Sequence, residues 1–148
     1  MNKKYFIGVD PGTKKIGIAL VDNNKSLVYK TITNLHNFLD ILFWIVEEYD
    51  VEDIVVGNGI NHRKIIGLVN IVKVTMNSKK KKINIHIIDE RNSTIDARKI
   101  FVQNQKNLIS KIICYFKSWF LSLDDYSALV LVHRFLSNNN FKKQIQNL

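Results

Sequence analysis

An aspartate at the end of an apolar stretch, followed at once by the only proline of the chain and a glycine, constrains this sequence most. The segment from Ile7 to Gly17 reads IGVDPGTKKIG. Its apolar flanks predict two strands, Tyr5–Val9 and Ile16–Val21, joined by a hairpin turn at Pro11-Gly12, where glycine is free to take a positive φ. A carboxylate is costly to bury there unless a cation accompanies it, so Asp10 is a candidate site residue.

The length and composition are those of one soluble domain. The 148 residues are 46% hydrophobic and 24% charged, which is enough for a hydrophobic core. No apolar run approaches the roughly 18 residues of a membrane span, and no signal peptide precedes the first strand. The single Cys114 excludes an internal disulfide and agrees with a reducing compartment. We therefore expect one cytoplasmic domain over 1–148 with a polar tail from about residue 137.

The charge of the chain favours a polyanionic partner. Twenty-two Lys and Arg against thirteen Asp and Glu give a formal net charge of +9. Such an excess promotes binding to nucleic acid through phosphate contacts and counterion release. The abundance of Lys and Asn is also what an AT-rich genome produces, so charge alone supports nucleic-acid binding only in part.

The hydrophobic pattern predicts a mixed α/β fold. Three strands joined by short turns indicate an antiparallel meander, and the later alternation of helices and strands places helices on the faces of the sheet. This element order resembles a ribonuclease H-like domain with a mixed five-stranded sheet. After the first two strands the pattern predicts a strand at 27–33, a helix at 35–49 capped by Asn34, a strand at 54–57, a loop or weak helix start at 58–67, a helix at 68–76, a strand at 83–88, and helices near 93–103, 108–121 and 124–136.

Acidic residues fall at the ends of predicted elements. Asp10 ends the first strand, Glu90 follows the fifth, and Asp124 and Asp125 open the last helix. If the first and fourth strands are central neighbours, these side chains converge on one edge of the sheet. Hard oxygen ligands of this kind suit Mg²⁺ or Mn²⁺, and two such ions roughly 3.5–4 Å apart would support phosphodiester hydrolysis.

Each acidic residue also has a structural interpretation. Asp10 could bond turn amides as an Asx-type turn residue. Glu90 could be a charge near a helix N-terminus, and Asp124 or Asp125 could cap the last helix. The metal-site hypothesis therefore depends on their joint position and not on any one of them.

Four segments resemble the RuvC-like nucleases. The opening strand and turn, with Asp10-Pro11-Gly12, is similar to the RuvC Holliday junction resolvases, while GTKKIG at 12–17 looks like the YqgF (RuvX) branch. The remaining matches are VVG after Ile54, the stretch HIIDERNST at 86–94, and the last helix from Asp124 to Leu136. The loop after Gly57 departs from the family because it lacks the usual Leu-Pro, which puts its substrate contacts in doubt.

The resemblance implies a ribonuclease H-like, metal-dependent endonuclease with two Mg²⁺ or Mn²⁺ ions. On that basis Asp10 would bridge the metals, Glu90 would bind a metal or help to position the attacking water, and Asp124 would complete the site with Asp125 as the alternate. Candidate nucleic-acid contacts are Lys14, Lys15, Arg63 and Arg91.

The resemblance leaves the substrate open. We expect a Holliday junction resolvase, with a pre-16S rRNA nuclease as the alternative, and a homodimer because a four-way junction presents two symmetric cuts. The aromatic 109–120 segment fits either a core helix or a dimer face. A nucleic-acid-binding protein that has lost catalysis is a further alternative. An actin-like or sugar-kinase-like phosphate site would need a second domain that this length does not supply.

Overall fold

Five strands of the described residues, 3–89 and 127–136, form one mixed sheet in the computed structural model. The sheet has the order β3-β2-β1-β4-β5. The bounds are β1 Tyr5–Pro11, β2 Ile16–Asp22, β3 Leu27–Thr33, α1 Leu35–Glu48, β4 Val51–Gly57, α2 His62–Ser78 and β5 Asn84–Ile88. Residues 127–136 are helical and are called the 127–136 helix below. Within these ranges, every helix is too short or too polar to cross a bilayer.

The strand pairing confirms the predicted mixed topology. The first three strands form an antiparallel meander, in which Asp10 pairs with Gly17 and Ile16 pairs with Thr33. On the other side β1 pairs in parallel with β4, and β4 in parallel with β5. The first and fourth strands are therefore central neighbours, as the sequence hypothesis about converging acidic residues requires.

Two details of the sequence interpretation are wrong. The second helix begins at His62 and not near residue 68, because Ile65, Val69, Val72 and Met76 form one buried helical face that starts in the polar segment. The turn after β1 also does not use a positive φ at glycine. Among the described residues only Lys25 and Lys80 have positive φ, and no glycine does.

The two faces of the sheet carry separate cores. Side chains alternate along a strand, so Ile7 and Val9 of β1 pack beneath α1 and α2, whereas Phe6 joins the core under the 127–136 helix. Asp10 belongs to the same face as Phe6 by this alternation. The sheet edge at which β1 ends is therefore bordered by α1 and α2 on one side and by the 127–136 helix on the other.

The ends of α1 are both satisfied by side chains. The Asn34 carboxamide oxygen accepts the Asn37 N–H at 3.0 Å, as the sequence predicted. At the other end the ammonium of Lys81 donates to the carbonyls of Val46 and Tyr49 at 2.5 and 2.6 Å. Since a helix leaves its terminal N–H and C=O groups without partners, these contacts supply partners at both ends of α1.

The 127–136 helix lies directly on the backbone of Gly8. A Cβ at Gly8 would come within 2.0 Å of the Ala128 carbonyl oxygen and 2.9 Å of a Val132 methyl group. Further along the helix, the rings of Phe135 and Phe6 are 6.4 Å apart, and His133 bonds the Lys25 carbonyl near the start of β1. The N-terminal part of the helix therefore lies over Gly8, and Phe135 near its C-terminal end lies beside Phe6.

Replacing Gly8 with alanine should separate the helix from the sheet. The added Cβ overlaps backbone that cannot rotate away, so we expect a loss of about 1–3 kcal/mol in the free energy of unfolding, measured by urea denaturation. Gly67→Ala is the matched control: nothing lies within 4 Å of its added Cβ. Because Gly67 lies within α2, the control should gain about 0.5–1 kcal/mol, and equal losses in the two variants would contradict this packing.

Candidate functional site

Three parallel strands end together at one edge of the sheet. Val9 pairs with Val56, and Gly57 pairs with Ile88. The next residues along these strands, Asp10 and Asp89, are each partly buried. We call this the carboxyl edge; it is where the carboxyl ends of parallel strands place ligand-binding residues in open α/β sheets.

Asp10 lies in the middle of the carboxyl edge. It occupies the last but one position of the central strand β1, and its backbone pairs with Gly17. The Gly12 N–H donates at 3.1 Å to the backbone carbonyl of Asp10. The strand ladder therefore fixes the direction of the Asp10 side chain, on the face of the sheet that the 127–136 helix covers.

Asp89 links the end of β5 to that same helix. Its backbone carbonyl accepts a hydrogen bond from the Arg134 guanidinium at 2.8 Å. Next to it, the Asn58 N–H donates to the Ile88 carbonyl at 3.0 Å, which joins the loop after β4 to the end of β5. These contacts hold the point at which the chain leaves β5 against both the sheet and the helix.

The other predicted acidic residues lie outside the described residues. These are Glu90, Asp124 and Asp125, and with them Arg91 and the aromatic 109–120 segment. Within the two described ranges no group of three His, Cys, Asp or Glu side chains could hold a metal ion. Within the described ranges Asp10 contributes hard carboxylate oxygen at the carboxyl edge, a ligand type that suits Mg²⁺ or Mn²⁺.

The turn after β1 is tight, and a side chain from a distant part of the chain bonds to it. A Cβ at Gly12 would meet the Lys15 carbonyl oxygen at 2.5 Å, so glycine is needed here for close approach and not for its φ. The Asn61 side-chain amide, from the loop after β4, donates to the carbonyls of Gly12 and Thr13 at 3.0 and 3.4 Å. Asn61 thus connects the turn to the start of α2.

A cavity of about 170 Å³ lies beside this turn. Its polar lining residues come from the turn and from the beginning of α2, and they include Lys14 and Lys64. Lys15 and Arg63, which the sequence also suggested, are exposed at neighbouring positions but do not line it. The lining residues are Gly12, Thr13, Lys14, Ile16, Leu35, Asn61, Lys64 and Ile65.

Asn61 and Lys64 were missed by the sequence analysis for one reason. The sequence left 58–67 as a loop or a weak helix start and predicted the helix itself only at 68–76, so neither residue was assigned a direction. An asparagine directly before a helix is a common N-cap signal, and a start at His62 would have placed both residues at the carboxyl edge.

Two titratable side chains away from this site, His133 and Lys4, have shifted pKa values. Burial lowers the pKa of His133, whose ring bonds the Lys25 carbonyl. The hydrogen bond and charge of Glu52 raise the pKa of Lys4 near the opposite edge. His86 bonds the Asp53 carboxylate at 2.7 Å within the sheet. The His133 and His86 contacts are hydrogen bonds to other groups of the protein.

Comparison with known proteins identifies relatives of this chain. The family model described as "RuvX: Holliday junction resolvase" matches residues 4–138. A protein of Pelagibacter ubique (strain HTCC1062), named "Putative pre-16S rRNA nuclease", is 35% identical over 103 residues, which are 65% of this chain and 68% of that protein.

Two solved structures confirm the predicted fold class. The Fowlpox virus resolvase, solved with Holliday junction DNA, aligns with a TM-score of 0.58 at 15% identity over 90% of this chain and 97% of that one. RuvC of Thermus thermophilus aligns with a TM-score of 0.51 at 10% identity over 90% of this chain and 94% of that one. At these identities the likeness concerns the fold, which is the RNase H-like fold of these resolvases.

Removing the Asn61 side chain should loosen the turn selectively. Asn61→Ala deletes both hydrogen bonds to Gly12 and Thr13, so local opening of residues 12–16 should become easier by about 0.5–1.5 kcal/mol. Amide hydrogen exchange of the turn measures this change. Asn70→Ala, on the exposed face of α2, should leave exchange at the turn unchanged. Equal exchange in the two variants would show that Asn61 does not hold the turn.

Proposed function

The chain belongs to the RuvX family, and we propose that it is a divalent-metal-dependent endonuclease that hydrolyses phosphodiester bonds in a structured nucleic acid. The observation that carries this proposal is the position of Asp10. Its carboxylate lies at the carboxyl edge of the central strand, on the face that the 127–136 helix covers. The net charge of +9 favours a polyanionic substrate.

Chain connectivity supports a shared site for the predicted acidic residues. Glu90 directly follows Asp89, which lies at the same edge as Asp10. Asp124 and Asp125 precede the 127–136 helix by three and two residues, and Ala128 at the N-terminal end of that helix lies on Gly8, two residues before Asp10. We propose that Asp10 and Glu90, with Asp124 or Asp125, hold two Mg²⁺ or Mn²⁺ ions.

The chain's own residues would do three things in this reaction. The acidic side chains hold the metal ions, which when bound supply charge stabilisation and an activated water. The β1 ladder and the Gly12 turn keep Asp10 in one orientation, so little reorganisation is needed on binding. Lys14, Lys15, Arg63 and Arg91 would neutralise substrate phosphates around the carboxyl edge.

A precursor of ribosomal RNA is the substrate we propose first. The Pelagibacter relative, 35% identical to this chain, carries the name of a pre-16S rRNA nuclease. The resolvases that share the fold are only 10–15% identical. This reverses the order of preference that the sequence alone suggested.

A four-way DNA junction is the second candidate. The description of the matching family model as a Holliday junction resolvase favours it. Cleavage of a labelled panel, containing a four-way DNA junction, duplex DNA, single-stranded DNA and a precursor rRNA fragment, separates the two. Preferred cleavage of the RNA supports the first candidate, and symmetric nicks in the junction support the second, together with the homodimer that such nicks require.

Asp10→Asn should abolish cleavage while leaving binding nearly intact. The substitution keeps the shape of the side chain and removes the negative charge that holds the metal, so we expect a fall in cleavage rate of about 100-fold or more. Asp40→Asn, on the exposed surface of α1, makes the same charge change away from the edge and should keep full activity. Gel cleavage assays and fluorescence anisotropy measure the two properties. Equal cleavage by both variants would refute the assignment of Asp10.

Cleavage should require Mg²⁺ or Mn²⁺ and should not be supported by Ca²⁺. Calcium binds the same carboxylate oxygens with more ligands and a looser geometry, so it should permit substrate binding but not hydrolysis. Cleavage is measured after chelation and after return of each ion alone. Full activity in excess chelator would exclude the metal-dependent mechanism.

A further inference from the structure

We propose that the cavity beside the 12–15 turn binds a backbone phosphate of the nucleic acid, with Lys14 and Lys64 as its cationic groups. This inference rests on the proposed nuclease function but concerns a second contact, not the cleaved bond itself. The cavity is lined by Lys14 and Lys64 and by the polar groups of Thr13 and Asn61, and no acidic residue contributes to its lining.

Two helices begin at the cavity. Strand β3 ends at Thr33, which pairs with Ile16 at the carboxyl edge, and α1 starts two residues later. Leu35 of α1 and Lys64 of α2 both line the cavity. Neither helix has an acidic residue in its first turn. The positive ends of two helix dipoles therefore add to the charge of the two lysines.

The contacts of the Asn61 side chain leave the N-terminus of α2 open to an anion. It occupies the N-cap position of α2, yet its side chain makes no capping hydrogen bond. The side-chain amide donates to the Gly12 and Thr13 carbonyls instead. The first turn of α2 thus lacks the acceptor that an N-cap side chain normally provides. The His62 N–H donates to the Gly59 carbonyl, and a phosphate oxygen can accept from the N–H groups of the next two residues.

The cavity and the Asp10 carboxylate lie on opposite faces of the sheet. Ile16 and Ile65, which line the cavity, belong to the core under α1 and α2. Asp10 lies on the other face of the sheet, which the 127–136 helix covers. A polynucleotide strand that reaches both must cross the turn at Gly12. The cavity would therefore hold a phosphate beside the cleaved one and set the path of the strand over the carboxyl edge.

The test compares two lysines of α2 that carry the same charge. Lys64→Ala removes a cation from the cavity. Lys73→Ala removes one further along the helix, where it does not line the cavity. Binding is measured by fluorescence anisotropy in Ca²⁺, with a labelled four-way DNA junction and a labelled RNA hairpin over a range of salt concentrations.

We expect Lys64→Ala to weaken binding about fivefold at low salt and to reduce the salt slope by about 0.7–0.9. Lys73→Ala should change affinity less than twofold, and Lys64→Arg should restore both affinity and slope because it keeps the charge. In cleavage assays Lys64→Ala should raise KM while leaving kcat close to that of the unmodified protein, since the contact is made before and during the reaction alike.

Three results would overturn the phosphate assignment. These are equal binding by the Lys64→Ala and Lys73→Ala variants, failure of Lys64→Arg to restore binding, and a loss confined to either the DNA or the RNA, since both polymers share the phosphate. The nuclease proposal fails separately, when Asp10→Asn still cleaves. The binding measurements in Ca²⁺ do not depend on cleavage, so the two failures remain distinguishable.

Discussion

The contact between the 127–136 helix and Gly8 is the constraint on which the candidate site depends. With no side chain at Gly8, the Ala128 carbonyl lies directly on the central strand. This contact places the N-terminal end of the helix over Gly8, two residues before Asp10. A larger residue at position 8 would lift the helix and separate the two parts of the chain that the site requires. The packing of one glycine thus governs how closely the helix approaches the strand that carries Asp10.

A second long-range contact defines the other side of the carboxyl edge. Asn61 joins the turn after β1 to the start of α2, residues that are far apart in sequence. The Asn61 side chain bonds carbonyls of the turn instead of capping its own helix. It therefore closes the tight turn and leaves the N-terminus of α2 open beside two lysines. The edge therefore has an acidic face, where metal ions are proposed, and a basic face, where a neighbouring phosphate is proposed.

Local patterns predicted most of the described fold. Alternating and continuous apolar runs located all five strands, and the Asn34 cap located the start of α1, because these signals act over a few residues. The start of α2 was missed because its first turn is polar and its β-branched residues weaken the helical pattern, so that burial against the sheet decides it. The resemblance to RuvX nucleases, carried by the Asp10 segment and the stretch at 86–94, is confirmed by the family match over 4–138.

The sequence by itself determined the mixed sheet, the place of Asp10 at the end of its first strand and the basic charge that favours a polyanion. It also indicated family membership, because each motif of the family is a short stretch of adjacent residues that can be recognised in the sequence. Only the tertiary structure decided which groups meet across the sheet edge. Asn61 bonds the turn, Lys64 lines the same cavity as Lys14, and the 127–136 helix packs on Gly8. These contacts join residues distant in the chain, and their geometry follows from packing between elements, which no local pattern encodes.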